Sequence, residues 1–353
     1  MDLETDIIFV MRIRRRRLSR LLVSLVMLLS CGESCLAQPR EPTDFPVPLA
    51  VGNGSPLVAV FGIPKARGTT MVAKGRTDFD LTLNLASDFN VSHAGDESIT
   101  LDGETATVAL GARYGVGDLW NVGVELPWVR HSGGFLDGFI VDWHKLWGFP
   151  QNGRDKAPRN RIEYRYTRGG ETLLDIDSTA DGPGDVVLSA RRRLLDDERT
   201  ETVFDTQVKL PTGDPRKLTG SGAADAGAGL EVSRRWRHRW FSNFNAGAVY
   251  LGEGDVLPAL QRRWAAYGGL DVVWRAAQKL ALRVQFDGHT SPYRNSRLGE
   301  LSDWSGMLTS GGTWYISRRT ALDLAVVENV PNPDAVSDVS FLVRVRSRLG
   351  GPS

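Results

Sequence analysis

Aromatic and charged side chains crowd one short stretch of the sequence, at residues 135–149. Rings of this kind offer apolar contact surface, and nearby carboxylate, imidazole and ammonium groups can fix the polar part of a ligand. The stretch therefore predicts either a constriction or a ligand-docking element, or else a loop that packs on a rim for stability. The candidate residues are Phe135, Asp137, Phe139, Asp142, Trp143, His144 and Trp147.

The apolar residues of this stretch recur at spacings of three and four, which predicts a short amphipathic helix. Such a helix has two plausible positions around a membrane barrel. It either folds into the barrel mouth as an obstruction or lies on the outer-leaflet interface.

A second set of charged residues lies on the polar faces of alternating stretches. Arginine and aspartate that face each other across an enclosed lumen can pair, so charge is tolerated there at little cost. These residues are predicted to line a lumen: Arg113, Glu125, Arg191, Lys209, Glu231, Asp271, Arg283 and Asp323.

A hydrolase would need a nucleophile with a histidine beside it. His131 and Ser132 are adjacent, so on a strand their side chains point to opposite faces. Neither G-x-S-x-G nor H-E-x-x-H occurs, and the five histidines are scattered. The sequence predicts no catalytic residue, no metal site and no cofactor, and a lipid hydrolase is the weakest alternative.

The polar loop at residues 211–225 holds Asp214, Arg216, Lys217 and Asp225 among glycine and serine. It either binds a cation or a lipopolysaccharide phosphate, or its residues simply make turns and cap one another.

Strict alternation of apolar and polar residues positions most of these groups. Leu81, Leu83 and Leu85 alternate with polar residues, and the same pattern recurs at 107–114, 205–210, 280–287 and 341–346. Alternation places apolar side chains on one face of a strand and polar ones on the other. No long helical period occurs after the N-terminal region, which excludes an α/β enzyme fold.

Five very short connections fix the number of strands. They lie at 115–118, 196–199, 237–238, 276–278 and 317–319, between longer Gly/Pro-rich loops. Outer-membrane barrels have short periplasmic turns and long outer loops. The sequence thus predicts an antiparallel transmembrane β-barrel of about twelve strands, with both ends periplasmic. The predicted strands lie near 76–92, 98–115, 119–130, 184–195, 200–211, 224–236, 239–252, 262–275, 279–290, 302–316, 320–330 and 336–348.

One outer insertion, at 131–183, interrupts this pattern. It contains a possible hairpin, 162–166 with 172–176, and the count becomes fourteen if that hairpin joins the wall. Tryptophans near predicted strand ends favour a membrane barrel over a soluble β-sandwich, because interfacial aromatic girdles occur at that height. They are Trp120, Trp128, Trp236, Trp240, Trp264, Trp274, Trp304 and Trp314.

The N-terminal region has the pattern of a secretory signal: an arginine cluster, the apolar run LLVSLVMLL at 21–29, and a small-residue cleavage site. We expect a signal peptide at 1–37, with Met11 as a plausible true start, and an alternative in which Cys31 is lipidated. Residues 38–75 read as an irregular periplasmic segment, and 76–350 as the barrel. Cleavage after Ala37 removes both cysteines, Cys31 and Cys35.

Composition sets further limits. The chain has 43 basic and 42 acidic residues among 353, and this balance argues against a nucleic-acid partner. A hydrophobic content of 41% is low for a helical membrane protein, but it suits a barrel in which every second residue faces lipid.

Two segments resemble those of the DUF3187 family of uncharacterised proteins. The more distinctive runs from HSGGFLDGFI at 131–140 through WHKLWGFP at 143–150 to Gly153, Arg154 and Asn160. The other is KLPTGD at 209–214, followed by LTGSG at 218–222. The resemblance implies an outer-membrane barrel and supplies no activity. The chain departs from many barrels in lacking a terminal aromatic residue, since its nearest candidate is Phe341.

Three functions follow as hypotheses. The first is an outer-membrane channel or transporter for small solutes, with apolar solutes included, and the second is a non-conducting structural or adhesion barrel. The third is an outer-membrane lipid hydrolase. The expected partners are outer-membrane lipid and lipopolysaccharide, the barrel assembly machinery during insertion, and a small-molecule solute.

Overall fold

The computed structural model describes residues 45–148, 151, 153–330 and 332–349. The expected signal peptide at 1–37, the alternative start and the lipidation site lie outside these residues. Among the described helices, none has the length and apolar character needed to cross a membrane.

The described chain is mostly strand, with two α-helices and three short 3-10 helices. The strands are β1 (Thr77–Ala94), β2 (Glu97–Gly115), β3 (Trp120–Ser132), β4 (Glu163–Arg168), β5 (Glu171–Ile176), β6 (Ala180–Pro183), β7 (Val187–Asp196), β8 (Thr200–Lys209), β9 (Asp225–Arg237), β10 (Trp240–Tyr250), β11 (Trp264–Ala277), β12 (Leu280–His289), β13 (Ser305–Tyr315), β14 (Thr320–Asn329) and β15 (Val339–Leu349). The α-helices are α1 (Asp137–Trp147) and α2 (Gly299–Ser302), and the 3-10 helices are Pro215–Lys217, Pro258–Leu260 and Pro333–Ala335.

Twelve of these strands form one closed antiparallel ring, which confirms the predicted fold class. Neighbours along the chain pair with each other, and the ring closes where β1 pairs with β15, with Thr77 opposite Leu349. Both ends of the ring therefore lie at the end of the barrel that carries the short turns. We call this the turn end and the opposite one the loop end.

The alternation of the sequence separates the two surfaces of the wall. Leu81, Leu83, Leu110 and Leu270 face outward and are exposed, whereas intervening residues such as Asp271 are buried. All eight tryptophans that the sequence places near strand ends are also exposed. An outward apolar band flanked by aromatic residues is the surface expected of a transmembrane barrel.

The insertion at 131–183 adds strands to the wall without enlarging the ring. The predicted hairpin forms as β4 and β5, but it joins the wall only where β4 pairs with Glu97–Asp102, at the loop end of β2. Strand β6 pairs with the loop end of β3, next to the point where β7 takes over. The count of fourteen is therefore wrong, because these strands extend the rim.

Residues 45–75 lie inside the barrel, and we call this segment the plug. Phe45 packs on Phe241 near the turn end, with ring centroids 6.2 Å apart. The chain then rises to Leu57 at the loop end and returns, so that Lys74 bridges to Gly115 at the turn end. The prediction of a separate periplasmic segment is therefore wrong for residues 45–75, and residues 38–44 lie outside the described part.

The main apolar core lies at the loop end, above the ring. Leu57, Val60 and Phe61 at the tip of the plug pack there with residues of the long loops, including Leu218, Leu257 and Tyr293. The long loops thus share one core with the plug.

Candidate functional site

The rising limb of the plug, residues 45–57, is held by polar side chains of the inner wall. Gln285 accepts a hydrogen bond from Leu49 N at 3.0 Å and donates one to Leu49 O at 2.9 Å. Arg283 donates to Val47 O at 2.6 Å, and Arg344 donates to Pro48 O at 2.6 Å. An irregular chain has no ladder partner for its own peptide groups, and these side chains satisfy them instead.

The returning limb of the plug, residues 58–75, is also held by hydrogen bonds to wall side chains, and it makes two ion pairs with the wall as well. Arg67 lies 3.0 Å from Asp205, and Lys65 lies 3.1 Å from Glu125. Glu231 accepts hydrogen bonds from the backbone N–H groups of Arg67 and Gly68, each at 2.9 Å. The sequence reasoning missed these plug cations, although two basic residues in a Gly/Pro-rich stretch were a signal that partners exist.

Lys209 joins the plug to the loop that follows β8. Its ammonium group lies 2.6 Å from Asp185 and 3.1 Å from Asp225, and it donates to Val60 O of the plug at 3.0 Å. Asp225 also accepts a hydrogen bond from Gly62 N at 2.7 Å. We call Lys209, Asp185 and Asp225 the latch of the plug. The KLPTGD and LTGSG segments lie beside it in the sequence.

The rest of the loop at 211–225 makes local structure. Asp214 accepts a hydrogen bond from Arg216 N and begins the 3-10 helix, while the side chain of Arg216 is exposed. This part of the loop behaves as turns and caps, and ligand binding by it stays a prediction.

The eight residues predicted to line the lumen all lie on the inner face of the wall. Several are paired between neighbouring strands, as in Arg191 with Asp205 at 2.9 Å and Arg283 with Asp271 at 3.3 Å. Asp323 binds both Arg344 and Arg346 at 2.8 Å. Glu125 and Glu231 contact the plug instead, and Arg113 lies 3.7 Å from Asp78 near the turn end.

The inner face of the wall carries charged groups of both signs, including Arg235 and Arg275, which lie over the ring of Phe241 near the turn end. Several of its carboxylates contact the plug, among them Glu125, Asp205 and Glu231.

A cavity of about 170 Å³ lies between the plug and the wall. Its lining is mixed. Thr82, Asn84 and Asn245 are polar wall residues, and Val58 and Ile63 are apolar plug residues. Asn84 Oδ1 is buried there without a hydrogen-bond partner in the described part of the chain. A small polar molecule with a donor group suits such a space. Among the described residues, no cluster of three or more candidate ligands could hold a metal ion.

Helix α1 lies on the outer face of the barrel. Leu136 and Ile140 pack against Val339, with Leu85 and Phe341 at the edge of the same cluster, and these wall residues face outward. The prediction of a constriction is therefore wrong, because the helix does not reach the lumen. Its apolar face matches the apolar wall, and its own backbone hydrogen bonds are already made.

The seven candidate residues of the first aromatic stretch accordingly have other surroundings. Phe135, Phe139 and Trp143 are exposed on the outer surface, as is Asp142, and His144 is partly buried. Asp137 is buried beneath the helix, and Trp147 ends it with a side chain that lies outside the described part. A ligand-docking role for these residues stays a prediction.

A buried charge network fastens α1 to the wall. Arg154 lies 2.5 Å from Asp137 and 2.6 Å from Asp338, and it donates to Ser87 at 3.0 Å. Burial lowers the pKa of Arg154, but the two carboxylates outweigh burial, so its pKa is raised above the ordinary value. Glu104 on β2 accepts hydrogen bonds from the N–H groups of Phe135 and Leu136, just ahead of the helix.

Comparison with known proteins places the chain in a family. A family model described as a protein of unknown function, DUF3187, matches residues 23–349. The chain belongs to the DUF3187 family. The two segments that carry the resemblance in the sequence are, in the structure, the outer fastening of α1 and the latch of the plug.

Solved structures share the fold of this DUF3187 protein at low identity. An outer membrane channel from Pseudomonas putida F1 superposes with a TM-score of 0.53 at 10% identity, covering 80% of this chain and 98% of that one. A NanC porin gives 0.45 at 8% identity, covering 77% of this chain and 100% of that one. The toluene transporter TbuX of Ralstonia pickettii gives 0.40 at 14% identity, covering 79% and 90%. The first of these likenesses supports the barrel fold.

One curated relative matches a short stretch only. Small ribosomal subunit protein uS3 of Sulfurimonas denitrificans is 33% identical over 60 residues, which is 16% of this chain and 25% of that protein. The chain thus spans a quarter of the length of this relative.

Proposed function

We propose that this DUF3187 protein is an outer-membrane channel for small polar solutes, held closed by its own plug. The expected signal peptide exports it, and the turn end faces the periplasm as short turns do in outer-membrane barrels. The likeness to an outer membrane channel from Pseudomonas putida F1 supports this reading at the level of the fold.

The observation that carries the proposal is how the plug is attached. In the described part of the chain, the main chain of residues 45–73 makes no hydrogen bond to the main chain of the wall. The wall ladder is complete without residues 45–73, and each hydrogen bond described between these residues and the wall involves a side chain, which water can replace. The plug can therefore move without breaking the backbone hydrogen bonds between the wall strands.

The charges of the inner wall suggest which solutes pass. Displacing the plug removes Lys65 and Arg67 and leaves Glu125, Asp205 and Glu231 of the inner wall without their plug partners. Fixed charge of one sign in a narrow low-dielectric passage concentrates the opposite ion. We therefore propose that the open state favours cationic or neutral polar solutes over anions, in place of the apolar solutes considered from the sequence.

Planar-bilayer recordings test the proposal with two variants. The first deletes residues 45–73, and the second carries Asn53→Cys with Ser305→Cys, whose native side chains lie 3.2 Å apart. The deletion should raise conductance severalfold. Cross-linking the cysteine pair with a short thiol reagent should abolish the openings of the full chain, and reduction should restore them. Each variant is first checked for the faster gel migration of an unboiled barrel.

Two results would contradict gating by the plug. One is a cross-linked protein that conducts as the free chain does, and the other is a folded deletion variant that does not conduct. In a salt gradient, the deletion variant should also prefer cations, and Glu125→Gln in the same background should weaken that preference.

The filled lumen also favours a second candidate, the non-conducting structural barrel. Phe45 and its neighbours occupy the turn end, and the apolar core closes the loop end. On this reading the full chain never opens under any voltage or solute, and only the deletion variant conducts.

A further inference from the structure

The turn end of the barrel carries a set of exposed basic residues that neither the plug nor the lumen uses. We call them the basic belt, and they flank the short turns after β7, β9, β11 and β13. The belt consists of Arg192, Arg234, Arg237, Arg239, Lys279 and Arg318, all of them exposed.

Two members of the belt lie over exposed tryptophans of the outer surface. The guanidinium of Arg234 is 4.7 Å from the ring centroid of Trp236, and that of Arg192 is 5.6 Å from Trp120. Both rings are exposed, Trp236 at 61% and Trp120 at 45%. Cation–π contacts of this kind position a guanidinium while leaving its donors available.

Two acidic residues of the turn after β7 are engaged elsewhere. Asp196 pairs with Arg193 at 2.6 Å. Asp197 accepts hydrogen bonds from the N–H groups of Arg199 and Thr200, which lower its pKa. Within the part of the chain that the structure describes, none of the six belt residues forms an ion pair. Asp118 and Glu198 are exposed at the turn end as well, and the six belt residues outnumber them, so this end presents net positive charge.

We propose that the basic belt binds the headgroups of anionic phospholipids. It lies at the height of the turn-end tryptophans, where the headgroup region of a bilayer meets its apolar core. Lysine and arginine near an anionic lipid surface are attracted to it, and arginine matches the geometry of a phosphate. This inference rests on the proposed membrane location, since a turn end in the periplasm lies beside the phospholipid leaflet and away from lipopolysaccharide.

Spin-labelled lipids in reconstituted vesicles test the proposal directly. The full chain is inserted in phosphatidylethanolamine vesicles, and the protein-immobilised fraction is compared for labelled phosphatidylglycerol and labelled phosphatidylethanolamine. We expect the anionic lipid to associate severalfold more strongly at low salt. The preference should shrink in concentrated salt, which screens charge.

The matched variants remove the same number of charges at the two ends of the barrel. Replacing Arg192, Arg234, Arg237 and Arg318 by glutamine should bring the preference close to unity. The control replaces Lys145, Lys156, Arg216 and Arg263 near the loop end, which are exposed as well, and it should keep the preference.

Equal association of the two lipids with the wild-type barrel would overturn the proposal, and so would a belt variant that keeps the preference. Either result leaves the channel proposal standing, because the protein has then inserted. A protein that does not insert as a heat-modifiable barrel overturns both proposals together.

Discussion

The plug and helix α1 are the two parts of the molecule that lie against the wall without belonging to it, and they lie on opposite surfaces. The plug has no regular structure of its own and sits inside, where Gln285, Arg283 and Glu231 satisfy its peptide groups. Helix α1 makes its own backbone hydrogen bonds and lies outside, on apolar residues. A chain that cannot satisfy its own backbone needs a polar surface, and only the inner wall provides one.

The largest expected effect comes from breaking the latch inside the barrel. Lys209→Met should lower the free energy of unfolding in detergent by about 3–5 kcal/mol, because it leaves Asp185 and Asp225 buried without a cation. Urea unfolding followed by tryptophan fluorescence measures the change. Lys217→Met in the same loop is exposed and should change it little, and equal losses in the two variants would contradict the latch.

The corresponding change on the outside should have a smaller and local effect. Arg154→Met leaves Asp137 without its cation, and it should lower the free energy of detaching α1 by about 2 kcal/mol. Hydrogen exchange should speed up in residues 137–147, while the strands keep their protection. Equal loss of protection across the ring would show that the helix is part of the barrel's cooperative core.

A steric substitution can test how the plug is seated without changing any charge. A Cβ added at Gly54 would lie 2.4 Å from the Cβ of Ala86, so Gly54→Ala should destabilise the seated plug by about 1–3 kcal/mol. Adding Ala86→Gly removes the nearest contact and should restore part of the loss, while Ser337 Oγ, at 2.9 Å from the added Cβ, still has to shift. Gly117→Ala, which meets nothing within 4 Å, is the control. Exposure of an Asn53→Cys thiol to a water-soluble reagent reports the seating, and failure of the second substitution to rescue would contradict the contact.

The smallest effect belongs to the ring contact beneath α1. Phe139 and Phe341 have centroids 6.1 Å apart, and Phe139→Ala should weaken helix docking by about 0.5 kcal/mol. Hydrogen exchange of α1 measures it, with Leu146→Ala on the exposed side as the reference. A loss as large as that of Arg154→Met would mean that apolar contact, and not the ion network, fastens the helix.

The sequence predicted the wall well because alternation and turn length are local signals. Strand β12 was expected near 279–290 and spans Leu280–His289. The same local signal found α1 from its spacing. The spacing could not show which surface of the barrel the helix occupies. An apolar helix face can pack against an apolar lumen or against the membrane-facing side of the wall.

The plug was missed for a different reason. Its contacts join residues such as Leu49 and Gln285, which are 236 positions apart, and no periodic pattern records such a pairing. The charged inner positions were read as a lining for open space, although a row of paired and hydrogen-bonding groups is also what an irregular segment requires. Lys65 and Arg67 were the available hint.

The closure of the ring between β1 and β15 has a consequence for the order of assembly. The plug immediately precedes β1, whereas its anchors Arg283 and Arg344 lie on β12 and on the final strand β15. The curling sheet must therefore gather around the plug before the final seam is joined, or else the segment must be threaded through an end afterwards. In the first of these routes, β1 and β15 meet around a chain that is already in place, and the plug is the core about which the wall is wound.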